Sequence, residues 1–508
     1  MAWQRRRPEA SALYLAVQGA WASVREGLAA AGRSLPRFCE REVDAFLRCG
    51  ILAYGFARVW CEACRKEDVV AFSCKGRGFC PSCGARRMSD TAAWLVERVI
   101  PEVPVRQWVL SLPYRVRLLC AYDPDACALV RRVLVRAVSG FYEGRARRRG
   151  ASRPRTGAVA FVQRFDSGLR LNVHFHVLWL DGVYASEAGR GGCEFREDAG
   201  IADTDVQRLV VRVRDRVVKA LRRVGKWWDE GDAAESDGEL EGERQLMLAL
   251  ASGAVVGRTV LGERAGESDV RVGRGTRAEA FVKGPLCADV DGFSLHAGVR
   301  VEGRDRRRLE HLCRYAGRPA IAASRLSLLP DGRVAYELKR RWKDGTTHVV
   351  MTAEVLVERL LALVPRPRRH LVTYHGVLGP AAGLRSRVVP RWEEAKPAGD
   401  GDASEPGEEG VGAAMAALYC RRRTVPHAPG KRRRVGVRRY PWAELLRRVF
   451  EVEVLVCPRC GGRRRVLAAI TAPESIARVL SAMGLSSEAP ELSPARSPPG
   501  ESGDEWGG

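Results

Sequence analysis

Two histidines separated by one residue, His174 and His176 in the run NVHFHVLWL, are of a type and spacing that can hold a metal ion. On a β-strand, residues two apart point to the same face. Both imidazoles then project together, while Phe175 points to the opposite, packed side. Neutral imidazoles about 7 Å apart along a strand can share one divalent cation, and that cation can polarise a phosphoryl oxygen for attack. The pair needs a third ligand. Gln163 lies on the preceding strand of the same hairpin. One register brings it to the histidine face, and a slip of one residue turns it away. His311 is a second candidate, and Asp166, in the turn, is a third.

In HLCRYAGRPAIAASRL, Tyr315 follows His311 by four residues, so a helix carries both on one face. A lone tyrosine in such a helix is ordinarily a packing residue. Beside a metal-held phosphate, its phenolic oxygen can attack phosphorus and keep the bond energy in an ester. Such a reaction is reversible, as strand transfer requires. Arg314 and Arg318 stand where they could bind flanking phosphates.

The third chemical group is cysteine. Cys61 and Cys64 form one C-x-x-C, Cys80 and Cys83 another, with fifteen residues between. Two such turns complete a tetrahedral four-thiolate site suited to structural Zn²⁺, with no open position for a substrate. Cys49 and Cys74 lie near enough in sequence to be alternative ligands. Lys75, Arg77, Arg86 and Arg87 surround the cluster and are candidate DNA contacts. Near the other end, Cys457 and Cys460 form half of a similar motif.

The elements that must position these residues can be read from periodicity. Residues 1–48 read as helical, and ARRMSDTAAWLVERVI as an amphipathic helix ended by PEVP. RQWVLSL reads as a strand and residues 124–142 as a helix, followed by a basic loop, RARRRGASRPR. AVAFVQRF and LRLNVHFHVLWL form a hairpin around DSG, and a helix follows near 204–224. This order predicts an α+β fold with an antiparallel sheet flanked by helices. The expected organisation is a helical and zinc-binding region at 1–100 and a catalytic domain at 101–385, with a variable insertion at 229–280. An acidic linker at 390–415, a small basic module at 416–485 and a polar tail at 486–508 complete it.

Composition narrows the partners. The 508 residues carry a formal net charge of +24, which favours a polyanion. No run of about 20 apolar residues exists, so no membrane span is expected. Fifteen cysteines without a secretion signal point to reduced thiols, metal binding and a cytoplasmic setting.

Taken together, these residues resemble the rolling-circle insertion-sequence transposases of the HUH nuclease superfamily. FLRCGILAYGFARVWCEAC and AFSCKGRGFCPSCGARRM are similar to that family's zinc-binding domain. VRQWVLSLPYRVR is similar to its first core strand, FVQRFDSGLRLNVHFHVLWLDGVY to its metal strand pair, and HLCRYAGRPAIAASRL to its tyrosine helix. PRPRRHLVTYHGVLGP and CPRCGGRRRVLAAI are also family-like. The resemblance implies an HUH core, His174 and His176 as ligands of Mg²⁺ or Mn²⁺, and Tyr315 as nucleophile. The implied partner is single-stranded DNA at element ends, and the implied product a 5′-phosphotyrosine ester; a homo-oligomer is compatible with this. Members often carry two tyrosines four residues apart, and here His311 holds the first place. Two other readings remain open: a replication initiator or relaxase with the same chemistry, and a catalytically decayed DNA-binding zinc protein.

Overall fold

The computed structural model describes residues 6–186, 193–227, 242–262, 264–272, 284–342, 344–390, 454–491 and 493–494. The chain begins with helices α1 (Ala12–Ala30) and α2 (Arg37–Leu47), a hairpin of β1 (Phe56–Cys61) and β2 (Lys66–Ala71), and α3 (Pro81–Arg98). Then follow β3 (Val105–Ser111), α4 (Tyr114–Tyr122), α5 (Pro124–Arg148), β4 (Gly157–Phe165) and β5 (Leu171–Leu180). Next come β6 (Gly182–Ser186), β7 (Cys193–Glu197), α6 (Asp203–Arg223), α7 (Gly242–Val256), β8 (Val270–Val272), β9 (Cys287–Val290) and β10 (Phe293–Val301). The remainder is α8 (Arg306–Ala316), β11 (Leu326–Leu328), β12 (Val334–Glu337), β13 (His348–Met351), α9 (Ala353–Leu363), β14 (Val372–Gly376), α10 (Arg385–Val388), β15 (Arg464–Ile470) and α11 (Pro473–Ala482).

The central sheet has six strands in the order β14-β4-β5-β3-β10-β9, with every neighbouring pair antiparallel. This is the α+β architecture expected. Strand β5 lies inside the sheet and is buried on both faces, which is why its sequence is almost continuously apolar. One face carries Val173, Phe175, Val177 and Trp179 into a large core shared with α1, α5, α6, α7 and α9. The other face carries His174, His176, Leu178 and Leu180, and there α8 and α3 form the cover. On α8, Leu309, Leu312, Cys313 and Ala316 recur at helical spacing and bury against Val159, Phe161 and Leu178. A buried network locks the strand ends: Arg106 donates twice to Asp181 at 2.9 Å, and Tyr142 donates to the same carboxylate at 2.8 Å.

Three expectations need correction. First, the basic run after residue 142 is not wholly a loop, because α5 continues to Arg148. Arg145 is held there by Asp198 at 3.0 Å and Asp205 at 2.9 Å. Second, the span read as an insertion contains α7, whose Leu246, Leu250, Ala251 and Ala254 are core residues. Its LMLALASGAVV is apolar enough to need burial, and the acidic flanks hid that. Third, the described end of the C-terminal module does not stand apart. Strand β15 pairs antiparallel with β1, giving a three-stranded sheet in the order β15-β1-β2. The acidic linker, the basic stretch KRRRVGVRR within the C-terminal module and most of the polar tail lie outside the described residues.

Candidate active site and cysteine clusters

The strand register fixes the first site. Gln163 on β4 lies directly opposite His174 on β5. Gln163, His174 and His176 therefore share the face covered by α8. The two imidazole rings lie 5.0 Å apart between centroids. His174 Nδ1 donates to the carbonyl of Asn172 at 2.8 Å. A carbonyl can only accept, so Nδ1 carries the proton and Nε2 is left with its lone pair. Gln107, on β3, donates from its amide to His176 Nδ1 at 3.0 Å. Burial is the main reason both imidazoles are hard to protonate, with Arg318 adding to it. His174 is lowered to about 4 and His176 to about 2. Both are neutral at ordinary pH, the form a metal needs.

Gln163 also controls the tyrosine helix. Its amide nitrogen donates to the carbonyls of Tyr315 at 3.1 Å and Ala316 at 2.8 Å. Carbonyls in the last turn of a helix lack intrahelical partners, so this side chain caps α8 from the sheet. Tyr315 is thereby held with its ring edge-on to His176, centroids 5.6 Å apart, while remaining 44% exposed. The Arg318 guanidinium lies 4.4 Å from the centre of the tyrosine ring and the Lys339 ammonium 5.8 Å.

Two polar atoms in this pocket are buried without a hydrogen-bond partner, His176 Nε2 and Gln163 Oε1. Burying such atoms unpaired costs about 1–3 kcal/mol each. They are of the kinds that coordinate Mg²⁺ or Mn²⁺, so the residues present fit a divalent ion. Arg318 Nη1 is likewise buried with no partner. The other candidates are placed differently. His311 is exposed on α8. Asp166 is occupied in the β4–β5 turn, accepting from the amides of Gly168 and Arg170 and from the Arg170 side chain. Arg314 pairs with Glu310 one turn earlier. Tyr336 is buried and its hydroxyl accepts from Arg325, while Tyr374 is half-buried on β14.

The cysteines form two clusters rather than one. Cys49, Cys74, Cys80 and Cys83 come together, and Cys61, Cys64, Cys457 and Cys460 come together. The grouping of Cys61 and Cys64 with Cys80 and Cys83 is corrected accordingly. The β1–β2 hairpin carries the first knuckle to one end of the sheet, and the second sits where α3 begins. In the first cluster, Sγ separations are 3.8 Å for Cys49–Cys83, 3.7 Å for Cys49–Cys80 and 3.4 Å for Cys74–Cys83. Zn–S bonds of about 2.3 Å in a tetrahedron place sulfurs about 3.8 Å apart, so the fit to Zn²⁺ is close. Backbone amides of Cys74, Lys75 and Gly76 donate to these sulfurs. Glu42 accepts from the Gly78 amide at 2.6 Å and would clash with a Cβ at Gly76. A larger residue there would displace the Glu42 carboxylate from this position.

The basic residues around this cluster are partly engaged in building it. Arg87 donates to the carbonyls of Lys75 and Gly76, and Arg86 to Ser73. Arg77 donates to the carbonyl of Arg369, which ties the zinc loop to the catalytic region. Gln107, Lys339 and Cys457 with Cys460 are the contributors that motif reading underweights. Gln107 and Lys339 belong to no motif, and a single knuckle does not reveal its partner.

Residues 18–112 match the family model described as "Transposase zinc-binding domain", of the IS91 type, and residues 157–385 match the model described as "Putative transposase". The chain belongs to the IS91-type transposases. All six cysteines between 49 and 83 that enter the two clusters fall in the first match, and His174, His176, Gln163 and Tyr315 fall in the second. This transposase is thus a DNA-processing, DNA-binding enzyme with a zinc-binding domain. None of the curated proteins and none of the solved structures matches it significantly. No helix of the described residues is long and apolar enough to cross a membrane.

Proposed function

We propose that the transposase cuts and rejoins single-stranded DNA at insertion-sequence ends by transesterification through Tyr315. The observation that carries this reading is the tyrosine ring edge-on to His176, beside two buried atoms without partners, His176 Nε2 and Gln163 Oε1. His174, His176 and Gln163 would hold Mg²⁺ or Mn²⁺, which supplies charge to polarise the scissile phosphate. A half-turn of the Gln107 amide lets its Oε1 accept from Nδ1–H of His176, leaving Nε2 free as a ligand. Arg318 and Lys339 bind phosphate oxygens beside the phenol. The Tyr315 phenolic oxygen attacks phosphorus and loses its proton. A tyrosine O–P bond forms, the P–O3′ bond breaks, and the departing oxygen takes a proton as a 3′-hydroxyl. The 5′-phosphate remains on Tyr315 until another 3′-hydroxyl attacks it, which reverses the bond exchange and rejoins the strand. With one such tyrosine per chain, strand transfer uses Tyr315 twice or draws on a second copy.

The test is incubation with labelled single-stranded element ends and Mn²⁺. A covalent adduct should form and map to the peptide containing Tyr315. Tyr315→Phe keeps the ring and should bind DNA within about twofold of wild type, since most affinity comes from phosphate contacts elsewhere, yet give no adduct. An adduct on Tyr336 or Tyr374 would sink the assignment. Wild-type DNA binding with no cleavage under any divalent ion would favour a decayed, binding-only protein.

A further inference from the structure

We propose that Cys61, Cys64, Cys457 and Cys460 bind a second zinc ion, which clasps the C-terminal module onto the zinc-binding domain. Their sulfurs lie within 4.8 Å of one another, with Cys61–Cys460 at 3.5 Å and Cys64–Cys457 at 3.7 Å. A disulfide needs about 2.05 Å, whereas a tetrahedral four-thiolate site needs about 3.8 Å between sulfurs. The ligands lie on two different parts of the chain, so one ion would join them.

The turns are built alike. In each, the residue after the second cysteine takes the left-handed conformation, Arg65 at φ 52° and Gly461 at φ 73°. That geometry closes a C-x-x-C loop around one ion. The second turn is secured by Gly461 N donating to Cys457 O at 2.9 Å and Cys457 N donating to Gly462 O at 2.8 Å. Gly462 lies at the meeting point. A Cβ there would come within 2.7 Å of Ala63 Cβ and 3.3 Å of the sulfurs of Cys61 and Cys460. The rest of the junction aligns the four ligands. Cys61 is paired with Arg464 in the β1–β15 ladder, and the Arg464 guanidinium is ion-paired with Asp68 on β2. The apolar contact is small, with Leu52, Phe56 and Val69 against Ile476 and Leu480. A unit of this size ordinarily needs a staple such as a metal ion.

This inference does not depend on the nuclease reading, because its readouts are metal content and attachment of the module. Native full-length protein, purified without chelator, should contain two zinc ions per chain. A Cys457→Ser/Cys460→Ser variant should contain one, and limited proteolysis should release its C-terminal segment sooner. One zinc in the wild type, two in the variant, or iron in place of zinc would overturn the proposal. If the variant does not fold, titration of the wild type with a thiol-specific mercurial decides. Zinc should leave in two equal portions, one for each set of four thiols, and release of only one zinc ion in total after all thiols have reacted would refute the second site.

Discussion

At the residue scale, the candidate nuclease site depends on two imidazoles kept neutral by burial. His174 and His176 are lowered from 6.5 to about 4 and about 2. Below 6.5 the unfolded chain takes up protons that the folded chain refuses, so this contribution to stability falls as pH drops from 6.5 through those values. Metal affinity follows another course. Since the folded imidazoles stay neutral, Mn²⁺ affinity at this pair should be level from about pH 8 to about pH 5, whereas a solvated histidine would lose it near its ordinary pKa. Titrations followed by Mn²⁺ spin resonance would reveal a midpoint near 6.5 if the burial argument is wrong. Gln107 holds the His176 ring by its far nitrogen, as supporting partners of metal-bound histidines do. Gln107→Leu should weaken Mn²⁺ binding about 10–100-fold while leaving the fold intact. Unchanged affinity would mean the ring is oriented by packing alone. His174 and His176 were legible in the sequence because strand alternation puts them on one face. Gln163 was only half legible, since its role depends on register. Gln107 was not, because its strand is brought alongside β5 by pairing across a long stretch of chain.

At the element scale, the helix carrying Tyr315 is set from two sides. Gln163 caps its end from the sheet, and α3, which begins at the first cysteine cluster, lies against it. Gly84 is the contact that permits this approach: a Cβ there would come within 2.6 Å of the Cβ of Pro319, just past the tyrosine helix. Alanine in place of glycine within a helix is normally worth about 1 kcal/mol of stability. Here the rigid proline ring cannot yield, and overpacking of this kind costs about 1–3 kcal/mol. Gly84→Ala should therefore lower the melting temperature and slow adduct formation without changing zinc content. A more stable, fully active variant would show that the two elements are not coupled through this contact. The helices and the hairpin were legible from apolar spacing, and the tyrosine helix from its stripe of Leu309, Leu312, Cys313 and Ala316. The cysteine grouping was not legible. C-x-x-C spacing identifies a knuckle but says nothing of which two knuckles meet, and isolated Cys49 and Cys74 carry no spacing signal.

At the scale of the whole molecule, the charge of +24 dominates the encounter with DNA. Several arginines are already paired internally, Arg145 with Asp198 and Asp205 among them, so fewer phosphates are contacted than the composition suggests. Even so, log affinity for single-stranded DNA should fall with log salt at a slope steeper than about −2, which corresponds to roughly three phosphates neutralised. Binding that barely changes with salt would require a recognition mode built on stacking. The pairing of β1 with β15 also sets a schedule for synthesis. Cys61 and Cys460 are 399 positions apart. At ribosomal speeds of about 5–20 residues per second, β1 waits roughly 20–80 s for the strand that completes its sheet. During that interval Phe56 and Val69 lack the apolar cover of Ile476 and Leu480, and one edge of the hairpin is open to other strands. A nascent chain interrupted between α10 and residue 464 would keep the whole candidate nuclease site yet present that open edge to quality control.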